Sequence, residues 1–146
     1  MANETMLKFG YPDSLIREYA HWAVLLRPAQ VTLGSLVLAA KSDATAFGQL
    51  PSSAHAELAT VTKDIEATLL SEVAYEKINY LMLMMVDPNV HFHVLPRYSG
   101  SRTLDGVTIW DAAWPGPPDL KSAPALAKEA LERLRSRFSE NWLTHR

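Results

Sequence analysis

Cysteine is absent from the 146-residue chain. That excludes disulfides and thiolate zinc sites, and it suits a reducing compartment such as the cytoplasm. No apolar run reaches bilayer-spanning length; the longest lies within Tyr80 to Val86, so no membrane partner is expected. The opening residues Met1-Ala2-Asn3-Glu4-Thr5-Met6 carry neither a basic start nor an apolar stretch, and no secretory leader is expected there. A formal net charge of −2 argues against a general nucleic-acid binder. Internal repeats and low-complexity segments are also missing.

What is present is ordinary globular composition, with 48% apolar and 21% charged residues. Residues 1–146 read as a single domain with a substantial core. The charge is uneven: six basic and three acidic residues from Lys121 onward give +3, against eight and thirteen, giving −5, before it. Arg133, Arg135 and Arg137 suit the last turns of a helix and its dipole. The alternative is a patch that attracts phosphate.

Residues Leu15 to Leu26 are rich in strand formers, with a break near Ala20-His21, and a further apolar run covers Val31 to Leu38. Together they predict an antiparallel meander. Pro51-Ser52-Ser53 resembles a serine-capped helix start, and Leu58, Val61, Ile65 and Leu69 recur at helical spacing, predicting a helix from Ala54 to about Leu70. Ile78 to Val86 and Val90 to Pro96 read as two strands joined at the breaker Asp87-Pro88. An irregular loop of about 99–123 follows, with Trp110, Trp114 and Pro115-Gly116-Pro117-Pro118, then a C-terminal helix of about 124–142. Strands, helix, strands, helix imply an α+β fold with a mainly antiparallel sheet.

The chemistry-bearing residues lie in Asn89-Val90-His91-Phe92-His93-Val94-Leu95-Pro96-Arg97. Side chains alternate along a strand, so Asn89, His91 and His93 share one face while Val90, Phe92 and Val94 share the other. Imidazole titrates near neutrality, acts as base or nucleophile, and ligates metals. Three readings compete: two structural histidines, a metal site, and covalent catalysis at phosphorus. A catalytic zinc usually needs a third protein ligand, and nothing nominates His21, His55 or His145 for that role.

This stretch resembles the signature of the histidine-triad (HIT) nucleotide hydrolases and transferases: three histidines alternating with apolar residues, then two more apolar residues. The chain matches it except at Asn89. Leu95-Pro96-Arg97-Tyr98, Lys77-Ile78-Asn79-Tyr80, Glu18-Tyr19-Ala20-His21-Trp22-Ala23-Val24-Leu25 and Leu33-Gly34-Ser35-Leu36-Val37-Leu38 are similar to neighbouring family segments, so the likeness spans about 14–98. The chain resembles the family's bacterial nucleotide hydrolase/transferase type, similar to the diadenosine polyphosphate hydrolases.

The resemblance implies a HIT-like α+β fold, with one central helix and one C-terminal helix. It implies that His91 attacks the α-phosphorus of a nucleotide conjugate, giving a nucleotidyl-imidazole that water or another acceptor resolves. It implies that His93 hydrogen-bonds a phosphate oxygen, with Asn89 completing the catalytic row. Asn79 and Arg97 are candidates for substrate contact; the alternatives are a satisfied strand-end amide and a surface arginine. The expected substrate is a nucleotide, dinucleoside polyphosphate or nucleoside phosphoramidate, with no metal or other cofactor. A homodimer is the implied assembly, and Trp110 or Trp114 joins that interface, covers the pocket or anchors the loop. The chain departs from the family at Asn89, at Met84-Met85-Val86-Asp87-Pro88 in place of a glycine-rich polar loop, and at Gly34, near where many members carry another histidine. A nucleotide-binding regulatory module with weak turnover, and a metal-dependent enzyme using the His-x-His pair, are the competing functions.

Overall fold

Hairpin β1 (Leu15–Glu18) and β2 (Trp22–Leu26) turns at Ala20-His21 as expected, and β3 (Leu36–Ala40) pairs with β2 along its whole length. The computed structural model describes residues 2–144. Strand β5 (His91–Arg97) lies between β3 and the edge strand β4 (Lys77–Leu81), giving one antiparallel sheet in the order β1-β2-β3-β5-β4. Helix α2 (Ser52–Val73) connects β3 to β4, and α3 (Lys128–Glu140) follows the hairpin of β6 (Ser101–Leu104) and β7 (Val107–Trp110). The class is α+β with a mainly antiparallel sheet. No helix among the described residues is long and apolar enough to cross a membrane.

The two central strands are apolar at every position because both faces are covered. Trp22, Val24, Leu26, Leu36 and Leu38 point into the larger core with Val61, Ile65 and Leu69 of α2 and Leu134 and Phe138 of α3. Ala23, Leu25, Val37 and Ala39 face the other way, under Met6 of a short first helix, α1 (Glu4–Lys8), that the sequence reading missed. Burying a Leu or Ile fully is worth about 1.5–3 kcal/mol, so the two layers together hold the sheet rigidly.

Several expectations need correction. Residues 82–86 do not extend β4: Met85 and Val86 are 83% and 84% exposed in a loop that runs from 82 to 90. A longer β4 would need ladder partners beyond His91, but Val90 bonds Ala40 and Ala44 through its backbone, and Asn89 N donates to Thr5 Oγ1. The loop of about 99–123 is not wholly irregular, since it contains the β6–β7 hairpin. β3 begins at Leu36 rather than Val31, because residues 31–35 form a turn in which Gly34 has φ +94°. A Cβ there would lie 3.2 Å from both Leu69 and Pro96 side-chain carbons, so backbone shape and close packing both demand glycine. The expected serine cap on α2 is not made; Pro51 holds that position with no side-chain bond.

Candidate active site

Strand β5 crosses the sheet interior, and its register puts His91 opposite Ala39 and His93 opposite Val37 on one side and Leu81 on the other. Ala39 in turn lies opposite Ala23. The row His91–Ala39–Ala23 therefore sets the imidazole next to a methyl group, with a second one a strand further on, along the face that packs under Met6. Phe92 and Val94 go to the opposite face, into the larger core, as alternation requires.

His91 is fully buried. Its Nδ1 lies 2.7 Å from the carbonyl oxygen of Asn89. A carbonyl only accepts, so Nδ1 carries a proton, and in the neutral ring Nε2 presents the lone pair. That Nε2 has no hydrogen-bond partner among the described residues. A buried polar atom left unpaired costs about 1–3 kcal/mol, so its persistence points to function more than to packing.

His93 stands nearly perpendicular to His91, with ring centroids 5.1 Å apart and an interplanar angle of 85°. Arg27 Nε donates to His93 Nδ1 at 3.3 Å. Burial, then the neighbouring Arg27 charge and His91, push the His93 pKa down from 6.5 to about 4, with Asp87 opposing. His93 is therefore neutral at physiological pH. Arg27 was not singled out from the sequence: an arginine followed by Pro28, between two apolar runs, does not say where its side chain goes.

The other nominated side chains make hydrogen bonds of their own within the fold. Asn89 Oδ1 accepts from Thr5 N at 3.2 Å, and its Nδ2 donates to the Asp43 carbonyl at 3.0 Å. Its amide thus brackets α1 to the loop after β3, and only its main-chain carbonyl reaches His91. Arg97 is no surface residue: it is 4% exposed, forms a bidentate pair with Asp111 at 2.7 and 3.0 Å, and donates to Asn79 Oδ1 at 2.8 Å. Asn79 thus lies on β4 with its amide oxygen accepting from Arg97. The arginines of α3 are likewise paired where they pack, Arg135 with Glu132 and Arg137 with Glu72 and Asp105.

Phe9, at the end of α1, covers both imidazoles, its ring centroid 5.8 Å from that of His91 and 5.6 Å from that of His93. An ion pair of 2.6 Å between Lys8 Nζ and Asp87 Oδ1 ties α1 to the 82–90 loop. The ring that covers the imidazoles is Phe9; Trp110 is 66% exposed at the end of β7, and Trp114 is half-buried. A cavity of about 500 Å³ lies elsewhere, between α3 and the start of β1, lined by Pro12, Ser14, Leu26 and Leu131.

No group of three or more His, Asp or Glu side chains suited to a metal exists among the described residues. His55 packs edge-on against Phe47, His21 sits in the β1–β2 turn, and His145 lies outside the described residues. What remains is an apolar enclosure holding one unprotonated ring nitrogen beside a second, neutral imidazole. That pairing can attack an electrophile and donate a hydrogen bond to the charge that develops on it.

No protein-family model matches the sequence, and no curated protein matches it. Solved structures do. A histidine triad protein from Bradyrhizobium japonicum superposes with a TM-score of 0.75 at 19% identity over 98% of each chain. One from Sinorhizobium meliloti gives 0.72 at 23% identity, covering 97% of this chain and 96% of that one. A hypothetical histidine triad nucleotide-binding protein from Sulfolobus tokodaii gives 0.66 at 19% identity, covering 94% and 88%. The fold is that of the histidine triad proteins.

Proposed function

We propose that this chain binds a nucleotide conjugate and hydrolyses it or transfers its nucleotidyl group, with His91 as the nucleophile. The observation that carries the reading is the buried, unpartnered Nε2 of His91, whose lone pair is kept free by the Nδ1–H bond to the Asn89 carbonyl. In this reading Nε2 bonds to the α-phosphorus as the bond from phosphorus to the leaving group breaks, and the leaving group keeps the electron pair. Water, losing a proton, or another acceptor then displaces the imidazole. Phosphoryl chemistry of this kind depends on in-line positioning and on donors aimed at developing charge, and neutral His93 supplies such a donor. Asn89 contributes through its carbonyl, and Asn79 with Arg97 through holding the sheet edge.

The expected substrates are dinucleoside polyphosphates and nucleoside phosphoramidates; the nucleotide-binding description of the Sulfolobus tokodaii protein supports that class. Entry requires Phe9 to swing off the imidazoles. The reading includes a cytoplasmic homodimer, for which the family resemblance and the cysteine-free composition are the support.

Turnover of both substrate types by the wild type and by His91→Ala, with and without chelator, tests the reading. Wild-type turnover should survive chelator and vanish in His91→Ala while nucleotide binding persists. Undiminished turnover in the variant would overturn it. The enclosure of His91 beneath Phe9 favours a second reading, a nucleotide-binding module without turnover, and binding by both proteins with turnover by neither would select it.

A further inference from the structure

We propose that Arg27 is a positioning residue that fixes the protonation pattern of the histidine pair, holding His93 as the Nε2–H tautomer opposite to that of His91. The argument begins with what each atom is able to do. A guanidinium only donates, so the 3.3 Å contact from Arg27 Nε requires His93 Nδ1 to be the acceptor. The one proton of neutral His93 therefore sits on Nε2. His91 shows the reverse, Nδ1–H to the Asn89 carbonyl and a bare Nε2. Two adjacent imidazoles of one strand thus carry complementary roles: one offers a lone pair, the other an N–H.

Arg27 is held in place for this task from several sides. Its backbone N donates to the Ser35 carbonyl at 3.0 Å, and its Nη1 donates to the Ala29 carbonyl at 2.7 Å. Buried Gln30 braces the same turn, its Nε2 donating to the carbonyls of Arg27 and Ser35 at 2.7 and 2.8 Å, and its Oε1 accepting from Gly34 N at 2.9 Å. The turn between β2 and β3 is a rigid mount for one guanidinium.

Protonating His93 would set Nδ1–H against Arg27 Nε–H, so the same contact that chooses the tautomer keeps the ring neutral. Burial is the largest cause of the depressed pKa and Arg27 the next. The elements packed on His93 otherwise contribute Val37, Leu81 and Phe9, none of which titrates; the ionisable neighbours are Arg27, His91 and Asp87, the last also paired with Lys8.

The catalytic consequence rests on the nucleophile reading, but the tautomer is readable without substrate. Nitrogen-15 NMR of the imidazoles across a pH titration tests the proposal. In the wild type, His93 should show an unprotonated Nδ1 and a protonated Nε2 at neutral pH, and titrate well below 6.5. In Arg27→Met the two nitrogens should move toward a tautomer average. The pKa should rise without reaching 6.5, because burial remains. Turnover should fall, though less than the roughly 100- to 1000-fold expected for loss of a whole stabilising donor. A wild-type Nδ1–H, or unchanged nitrogen shifts in a folded Arg27→Met, would overturn the proposal. If that variant fails to fold, the wild-type spectrum decides alone. Intact tautomers in a protein whose His91 takes no part in turnover would refute the nucleophile and leave the Arg27 assignment standing.

Discussion

The Nδ1 of His91 lies 2.7 Å from the carbonyl oxygen of Asn89, two residues earlier in the same chain, and this contact sets the character of the site. It comes from backbone geometry rather than from the Asn89 side chain. A different residue at position 89 keeps the carbonyl, and hence the His91 tautomer, provided the segment keeps its path.

Asn89→Ala separates the two contributions. The variant loses acceptance from Thr5 N and donation to the Asp43 carbonyl, both at buried or half-buried positions. Unmade bonds of this kind cost about 1–3 kcal/mol, to be measured by denaturant unfolding. Turnover by the folded variant should stay close to the wild-type rate. A collapse in rate at unchanged stability would mean that the amide itself takes part in the chemistry.

Arg97 and Asp111 make a second separable claim. Asp111→Ala leaves the guanidinium buried with only neutral partners, at a cost of about 3–5 kcal/mol. Replacing both residues with apolar ones of similar volume should restore much of that loss, since the pair's desolvation then disappears as well. Equal stability for wild type and Asp111→Ala would show that the pair contributes little.

Acid should weaken the fold through His93. Its pKa is near 6.5 in the unfolded chain and about 4 in the folded one, so between those values the unfolded chain holds the extra proton. Stability therefore falls as pH drops through that window and levels off below it, as far as this group is concerned. Denaturant unfolding across the window should show wild type weakening more steeply than His93→Asn. Parallel curves would mean that His93 is not held neutral by the fold.

The strand period placed both histidines on one face correctly, because a buried strand alternates whatever surrounds it. The meander, the central helix and the C-terminal helix were legible for the same reason: their apolar spacing matches the faces they bury. Asn79 and Arg97 were nominated separately; the structure joins them through Asn79 Oδ1 and pairs Arg97 with Asp111, which lies beyond the span of any local pattern. Strand β4 was drawn too long because Met82 to Val86 are apolar, whereas the missing ladder partners are a tertiary fact. Helix α1 escaped notice because it is short, and Asn3 caps it with a side chain that accepts from Met6 N at 2.9 Å. Arg27 and Phe9 reach the histidines across the fold, a proximity invisible to spacing.

The most direct test of the account is the fate of the α-phosphorus. Rapid quenching of the protein with a nucleotide conjugate labelled at the α-phosphate should leave label on the peptide containing His91, stable in base and lost in acid, as a phosphoramidate behaves. Chelator should not prevent it, and a His91→Gly variant supplied with free imidazole should recover turnover without labelling the protein. Label confined to any other residue, or wild-type turnover in His91→Gly without imidazole, would contradict the account.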